Sequence, residues 1–186
     1  MRHHIRSFVE QAALLLPLED PIYEFGSYQV KNQEKRANLR EFFPDMEYVG
    51  CDMREGPGVD VVMDMENMDM PLFSCGSILS LDTLEHVLNP AKAIAKCYTH
   101  VNPAGWVVLS TVMNFPIHDY PGDYWRFTPM CMHVLLHQFK TRVVGFLGAA
   151  AHPHTIVALA SHNDDNGQRE RAREVIRMSN MEVWGK

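Results

Sequence analysis

Short apolar runs alternate along this chain with segments whose apolar residues recur at helical spacing, and that alternation constrains the fold more than any other feature. Ile22–Phe25 is the first strand-like run, followed by Glu47–Cys51, Val59–Met63 and Ser77–Leu81. Trp106–Thr111 reads as a fifth strand, and Arg142–Leu147 and Thr155–Ala160 as a final pair. Ile5, Phe8, Val9, Ala12, Leu15 and Leu16 predict an N-terminal helix over 3–16, ended by Pro17. Lys31–Phe43 fits an amphipathic helix stopped before Pro44. Asn89-Pro90 and Thr128-Pro129 read as helix starts: Asn or Thr can cap free amides, and Pro suits the first helical position. The charged tail predicts a surface helix over about 168–178, with its alternating charges solvated. This order calls for a seven-stranded, mainly parallel α/β sheet with helices on both faces. Only Gly148–His154 separates the last two strands, too short for a helical crossover, so that pair should be antiparallel.

A length of 186 residues suits one domain, 1–186, with its core at about 22–161. Lys plus Arg number 17 and Asp plus Glu 23, for a net charge of −6, so no global basic footprint marks a nucleic-acid binder. The longest apolar runs, such as Ile156–Ala160, are far below the ~20 residues of a membrane span. Met1–Val9 lacks a signal-peptide layout. Cysteines at 51, 75, 97 and 131 form no CxxC pair and read as reduced, buried thiols, which sets the expectation of a cytoplasmic protein. His152 and His154 flank Pro153 without a recognisable third ligand, so they read as turn residues and no metal is expected.

In parallel sheets, ligands bind beyond the carboxyl ends of the strands. Those ends carry Glu24-Phe25-Gly26-Ser27, then Asp52, then Asp64-Met65, then Asp82-Thr83-Leu84-Glu85-His86. Glycine admits a ligand close to the backbone, and Asp52 could accept bonds from both hydroxyls of a ribose. Any one of these acids alone would read as a helix cap or turn former. Together they would crowd one rim with carboxylates unless a ligand bearing hydroxyls and positive charge shared it.

With Val49-Gly50-Cys51-Asp52, Val61-Val62-Met63-Asp64, Leu81–Val87 and Val101-Asn102-Pro103-Ala104-Gly105-Trp106, this set resembles the class I S-adenosylmethionine-dependent methyltransferases. Within them it is most like the small methyltransferase type 11 group, over about 22–161. The resemblance implies a Rossmann-like three-layer sandwich and S-adenosylmethionine as cofactor, with S-adenosylhomocysteine as product. It implies Glu24, Gly26 and Ser27 beside the methionine part, Asp52 on the ribose and Met53 against the adenine. It implies Asp64 and Met65 at the adenine edge, and Asp82 near the methionine part. The family's loop usually continues with further glycines, where this chain has Tyr28-Gln29-Val30. Tyr28 would narrow the pocket or serve as a substrate contact.

Met113–Thr128 concentrates aromatics, carboxylates, Arg126 and His118 in one loop after the fifth strand. It reads either as a packed lid or homodimer contact, or as an acceptor site under a closing lid. His118 is the first candidate base, since an imidazole titrates near neutrality, and His86 the second. His86 would otherwise orient the turn that follows it. Tyr120, Tyr124 and Trp125 would contact the acceptor. Arg126 would hold an acidic group on it or neutralise Asp119 or Asp123. The expected activity is methyl transfer to an oxygen or nitrogen of a small-molecule or glycan-like acceptor. The competing reading is a non-catalytic nucleotide-binding or dimerisation module on the same fold.

Overall fold

The computed structural model describes residues 2–32, 34–118 and 122–185. Tyr120 and Asp119 therefore lie outside the described residues. The strands are β1 (Ile22–Phe25), β2 (Tyr48–Asp52), β3 (Val61–Val62), β4 (Ser77–Leu81), β5 (Val107–Val112), β6 (Thr141–Ala149), β7 (His152–Ser161) and β8 (Glu182–Val183). They form one sheet in the order β3-β2-β1-β4-β5-β7-β6-β8. From β3 to β5 neighbours run parallel; β7 pairs antiparallel with both β5 and β6. The chain leaves β1 toward β2 and β3, then returns to place β4 on the other side of β1. That reversal opens a crevice beyond the carboxyl ends of β1 and β4, where such sheets take their ligands.

Helices α1 (His3–Leu15), α2 (Glu34–Ala37), α3 (Pro90–His100), α4 (Pro129–Leu135) and α5 (Asn166–Met178) accompany the sheet. Two buried clusters flank it. Ile5, Phe8 and Val9 of α1 pack with Val175 and Ile176 of α5 against Leu79 and Val108. Ile94 and Cys97 of α3 and Met132 of α4 pack with Ile78 and Leu109. Residues 78 and 79 thus feed opposite layers, as the two-residue period of a strand requires. Strands β4 and β5 are buried along their full length, and neither carries a charged side chain. Among the described residues no helix is long and apolar enough to cross a membrane.

Both Pro-marked helix starts form as expected. The Asn89 side chain accepts from the Lys92 amide at 3.0 Å, and Thr128 from the Cys131 amide at 3.0 Å. The predicted helix over Lys31–Phe43 does not form as one piece: α2 and a 3₁₀ turn at Arg40–Phe42 are what remain. Asn38 interrupts it, its Oδ1 accepting from the Arg40 amide at 3.2 Å in competition with the helical ladder. The third strand contracts to its two edge residues, which stand exposed. The sheet also gains an eighth strand, β8, which pairs antiparallel with β6 at Gly145 and Phe146.

Candidate active site

The loops after β1 and β4 are laced together at the crevice. Gly26 has φ +88°, and a Cβ there would stand 2.2 Å from the Thr83 hydroxyl oxygen, so only glycine fits. The Thr83 hydroxyl donates to the Phe25 carbonyl at 3.2 Å, and the Gly26 and Ser27 amides donate to the Cys51 carbonyl at 2.8 and 3.1 Å. This bracing shapes a cavity of about 560 Å³, within the usual size range of small-molecule sites.

One end is acidic. Asp52, 8% exposed, accepts from the Arg54 amide at 3.0 Å and more distantly from the Tyr28 amide at 3.4 Å. Arg54 also leans its guanidinium over the Tyr28 ring, 4.4 Å from the centroid. Tyr28 therefore joins Asp52 and Arg54 at this end of the cavity. Glu24 is buried and accepts from the Tyr48 hydroxyl at 2.8 Å. Burial pushes its carboxyl up to about 7, against the lowering effects of the Tyr48 hydroxyl and the Arg40 guanidinium. Ser27 Oγ is buried with no hydrogen-bond partner among the described residues. Met53 and the buried Met65 supply apolar wall. Asp64 also lines the cavity, but its two oxygens accept from the Glu66 amide and the Asn67 side-chain amide, as in a turn.

Asp82 closes the middle of the site. Its φ is +51°, rare for a residue with a side chain, and its carboxylate takes the Ser110 hydroxyl at 2.8 Å. Arg2, from the start of the chain, grips the same carboxylate through Nη2 at 2.6 Å and Nε at 3.0 Å. Arg2 also donates to the Thr155 hydroxyl and lies over the Phe115 ring. No local pattern marks Arg2, because its partners are 80 and 153 residues away.

The opposite end carries the histidines. His86 Nδ1 donates to the Gly122 carbonyl at 2.6 Å, and its ring stands edge-on to His118 at 4.7 Å between centroids. Burial lowers the His86 pKa despite that bond. The His118 amide donates to Asp123 at 2.7 Å, and His118 Nδ1 lies 3.2 Å from the Pro116 carbonyl. Glu85 is wholly buried between them and the sheet, with the Thr111 hydroxyl donating to Oε2 at 2.8 Å. Burial, and then the nearby Asp82, raise its pKa. The structure thus brings Glu85, His86 and His118 together, a grouping that no spacing in the sequence marked.

Among the residues expected at the acceptor, Tyr124 lines the cavity. Trp125 and Arg126 are turned to other partners. Trp125 Nε1 donates to the Val87 carbonyl at 2.9 Å, and Arg126 clasps Asp123 and reaches the Phe115, Pro116 and Trp125 carbonyls. The Arg126 guanidinium holds the buried Asp123 carboxyl well below the usual carboxylate range. Arg126 is thereby the strut of the loop that presents His118.

Residues 24–109 match the family model described as a methyltransferase domain. A methyltransferase from Thermotoga maritima, described as a possible histamine N-methyltransferase, superposes with TM-score 0.59 at 15% identity, covering 86% of this chain and 91% of that one. One from Archaeoglobus fulgidus gives TM-score 0.65 at 12% identity, covering 86% and 94%. The trans-methyltransferase CalH, in complex with S-adenosylhomocysteine, gives 0.60 at 15% identity; 84% of this chain covers 55% of it. At such identities the likeness is one of fold. No curated protein matches the sequence significantly. The cavity fits the cofactor of this family: the unpartnered Ser27 hydroxyl and the acceptor-rich Asp52 offer the polar contacts, and the methionines offer apolar wall. Residues 24–109 thus match a methyltransferase domain, and the chain has the fold of S-adenosylmethionine-dependent methyltransferases.

Proposed function

We propose that the protein transfers a methyl group to an oxygen or nitrogen of a small-molecule or glycan-like acceptor. The observation that carries this reading is the division of one cavity into an acidic, polar end at Glu24, Ser27 and Asp52 and a histidine-bearing end at His86, His118 and Tyr124. Asp52 would hold the ribose hydroxyls, Glu24, Ser27 and the Gly26 backbone the methionine part, and Met53, Asp64 and Met65 the adenine. Bound S-adenosylmethionine supplies an electrophilic methyl group. The chain then has to align the acceptor, exclude water and take up the acceptor's proton. His86 is suited to receive that proton. Its Nδ1–H is spent on Gly122, which leaves Nε2 with its lone pair, and burial favours the neutral ring. His118 stands edge-on beside it as the other proton acceptor. Phe115 and Tyr124 line that end, and Tyr124 would contact the acceptor. All four cysteines are free thiols, which supports a reducing, cytoplasmic setting.

Calorimetry with S-adenosylmethionine and S-adenosylhomocysteine tests the first half. Saturable binding is expected, and its absence at millimolar cofactor with folded protein refutes the reading. Incubation with methyl-labelled cofactor and fractionated small metabolites tests the second. Label should move to a product one CH₂ heavier than its precursor. Binding without any transfer would favour the non-catalytic module instead.

A further inference from the structure

The geometry points to a divalent-metal site built by Glu85, His86 and His118 at the acceptor end of the cavity. The inference rests on the function proposed above only for its catalytic setting; the cation site stands on its own geometry. One ligand atom from each of the three residues lies within 4.8 Å of the others, a spacing that a single cation can bridge. Glu85 is wholly buried, lines the cavity and uses only Oε2, for the Thr111 hydroxyl; Oε1 has no partner among the described residues. A buried carboxyl oxygen left in this way calls for a proton or a cation.

The histidines are already arranged as metal ligands are. Such a ligand usually gives its second ring nitrogen to a carbonyl or carboxylate, which fixes the tautomer and aims the lone pair. His86 Nδ1 donates to the Gly122 carbonyl at 2.6 Å. His118 Nδ1 lies 3.2 Å from the Pro116 carbonyl and 3.4 Å from the buried Asp123 carboxylate, which Arg126 anchors. Both Nε2 atoms are left as the ligating nitrogens. Arg2 neutralises the neighbouring Asp82, so the site keeps one carboxylate charge.

Two imidazoles and one carboxylate suit a borderline transition-metal ion of the zinc, manganese or cobalt kind better than calcium or magnesium, which prefer oxygen. Three protein ligands leave coordination positions open. An acceptor hydroxyl entering one would ionise near neutral pH: its O–H bond breaks, the electron pair stays on oxygen and the proton passes to solvent water. The site would thereby select hydroxyl acceptors over amines.

The test titrates the full-length, metal-stripped protein with Co²⁺, followed by its visible absorption, and with Zn²⁺ by calorimetry. S-adenosylhomocysteine binding and circular dichroism are measured on the same samples. One equivalent of metal is expected to bind. His86→Ala and His118→Ala should each weaken it at least tenfold while leaving S-adenosylhomocysteine affinity and fold intact. Asp123→Asn should weaken it by about 10–100-fold through the loss of the carboxylate behind His118. His152→Ala and His154→Ala should leave it unchanged. Wild-type protein that binds S-adenosylhomocysteine but neither metal overturns the site and leaves His86 and His118 as bases. Metal binding that survives the double His86→Ala/His118→Ala variant overturns it as well. Metal binding that needs both histidines, in a protein that binds no cofactor, supports the cation site and removes the methyltransferase reading around it.

Discussion

Glu24 and Asp52 stand at the ends of adjacent strands, yet their surroundings assign them different physical behaviour. Glu24 titrates at about 7 in the folded protein, above the ordinary value of 4.5, because burial opposes its charge. The folded state therefore binds this proton more tightly than the unfolded one. The resulting stability is fully present below about pH 4.5 and is lost as pH rises through about 7. Glu24→Gln, which can still accept from Tyr48, should flatten the decline in melting temperature across that window. Thermal melts at a series of pH values read the effect, and an unaltered slope would reassign the shift. Asp52 is held ready by backbone amides, and an isosteric Asn can keep one of those bonds but not the charge. Asp52→Asn should weaken S-adenosylmethionine binding by roughly 1–3 kcal/mol, through loss of charge-assisted bonds to the ribose. Equal affinities by calorimetry would take Asp52 off the ribose.

Elements formed as read wherever their signal was local. The Asn89-Pro90 start of α3 needs only the Asn89 side chain and the fixed φ of proline, and both lie within one turn. Asn89→Ala should accordingly cost about 1 kcal/mol in denaturant unfolding, and a neutral result would mean that α3 is held by packing alone. Lys31–Phe43 shows the opposite case. Its apolar spacing suited a continuous helix, but Asn38 bonds to the chain two residues ahead and Leu39 and Phe43 are buried from a broken segment. Periodicity reports which residues face the core, not whether the backbone between them stays helical. Likewise β8 is only Glu182–Val183, and what makes it a strand is the open edge of β6 rather than its own composition.

At the scale of the whole molecule, the sheet's order brings distant segments over one crevice. Arg2 ties the start of α1 to Asp82 after β4 and to Thr155 in β7. The pair is about one-fifth exposed on each side, so solvent screens part of its strength. Arg2→Ala should lower stability by about 1 kcal/mol, or ~2–4 °C in melting temperature, and speed amide exchange in the first turn of α1. Unchanged exchange there would show that the apolar face of α1 suffices to dock it.

Taken alone, the sequence determined the alternation of strands and helices, the burial of β4 and β5, and the acids at the strand ends. Each of those follows from periodicity or from neighbours within a few residues, which chain chemistry encodes directly. The likeness in Leu81–Val87 and Asn102–Trp106 also pointed to the methyltransferase fold. Only the tertiary structure decided which side chains share the cavity. It spent Arg126 on Asp123, turned Asp64 onto its own turn, delivered Arg2 to Asp82, and set His118 against Glu85 and His86 across 32 residues of chain. Those pairings depend on strand order and loop closure. A sequence pattern records what each residue can bond to, and folding selects the partner that burial leaves within reach.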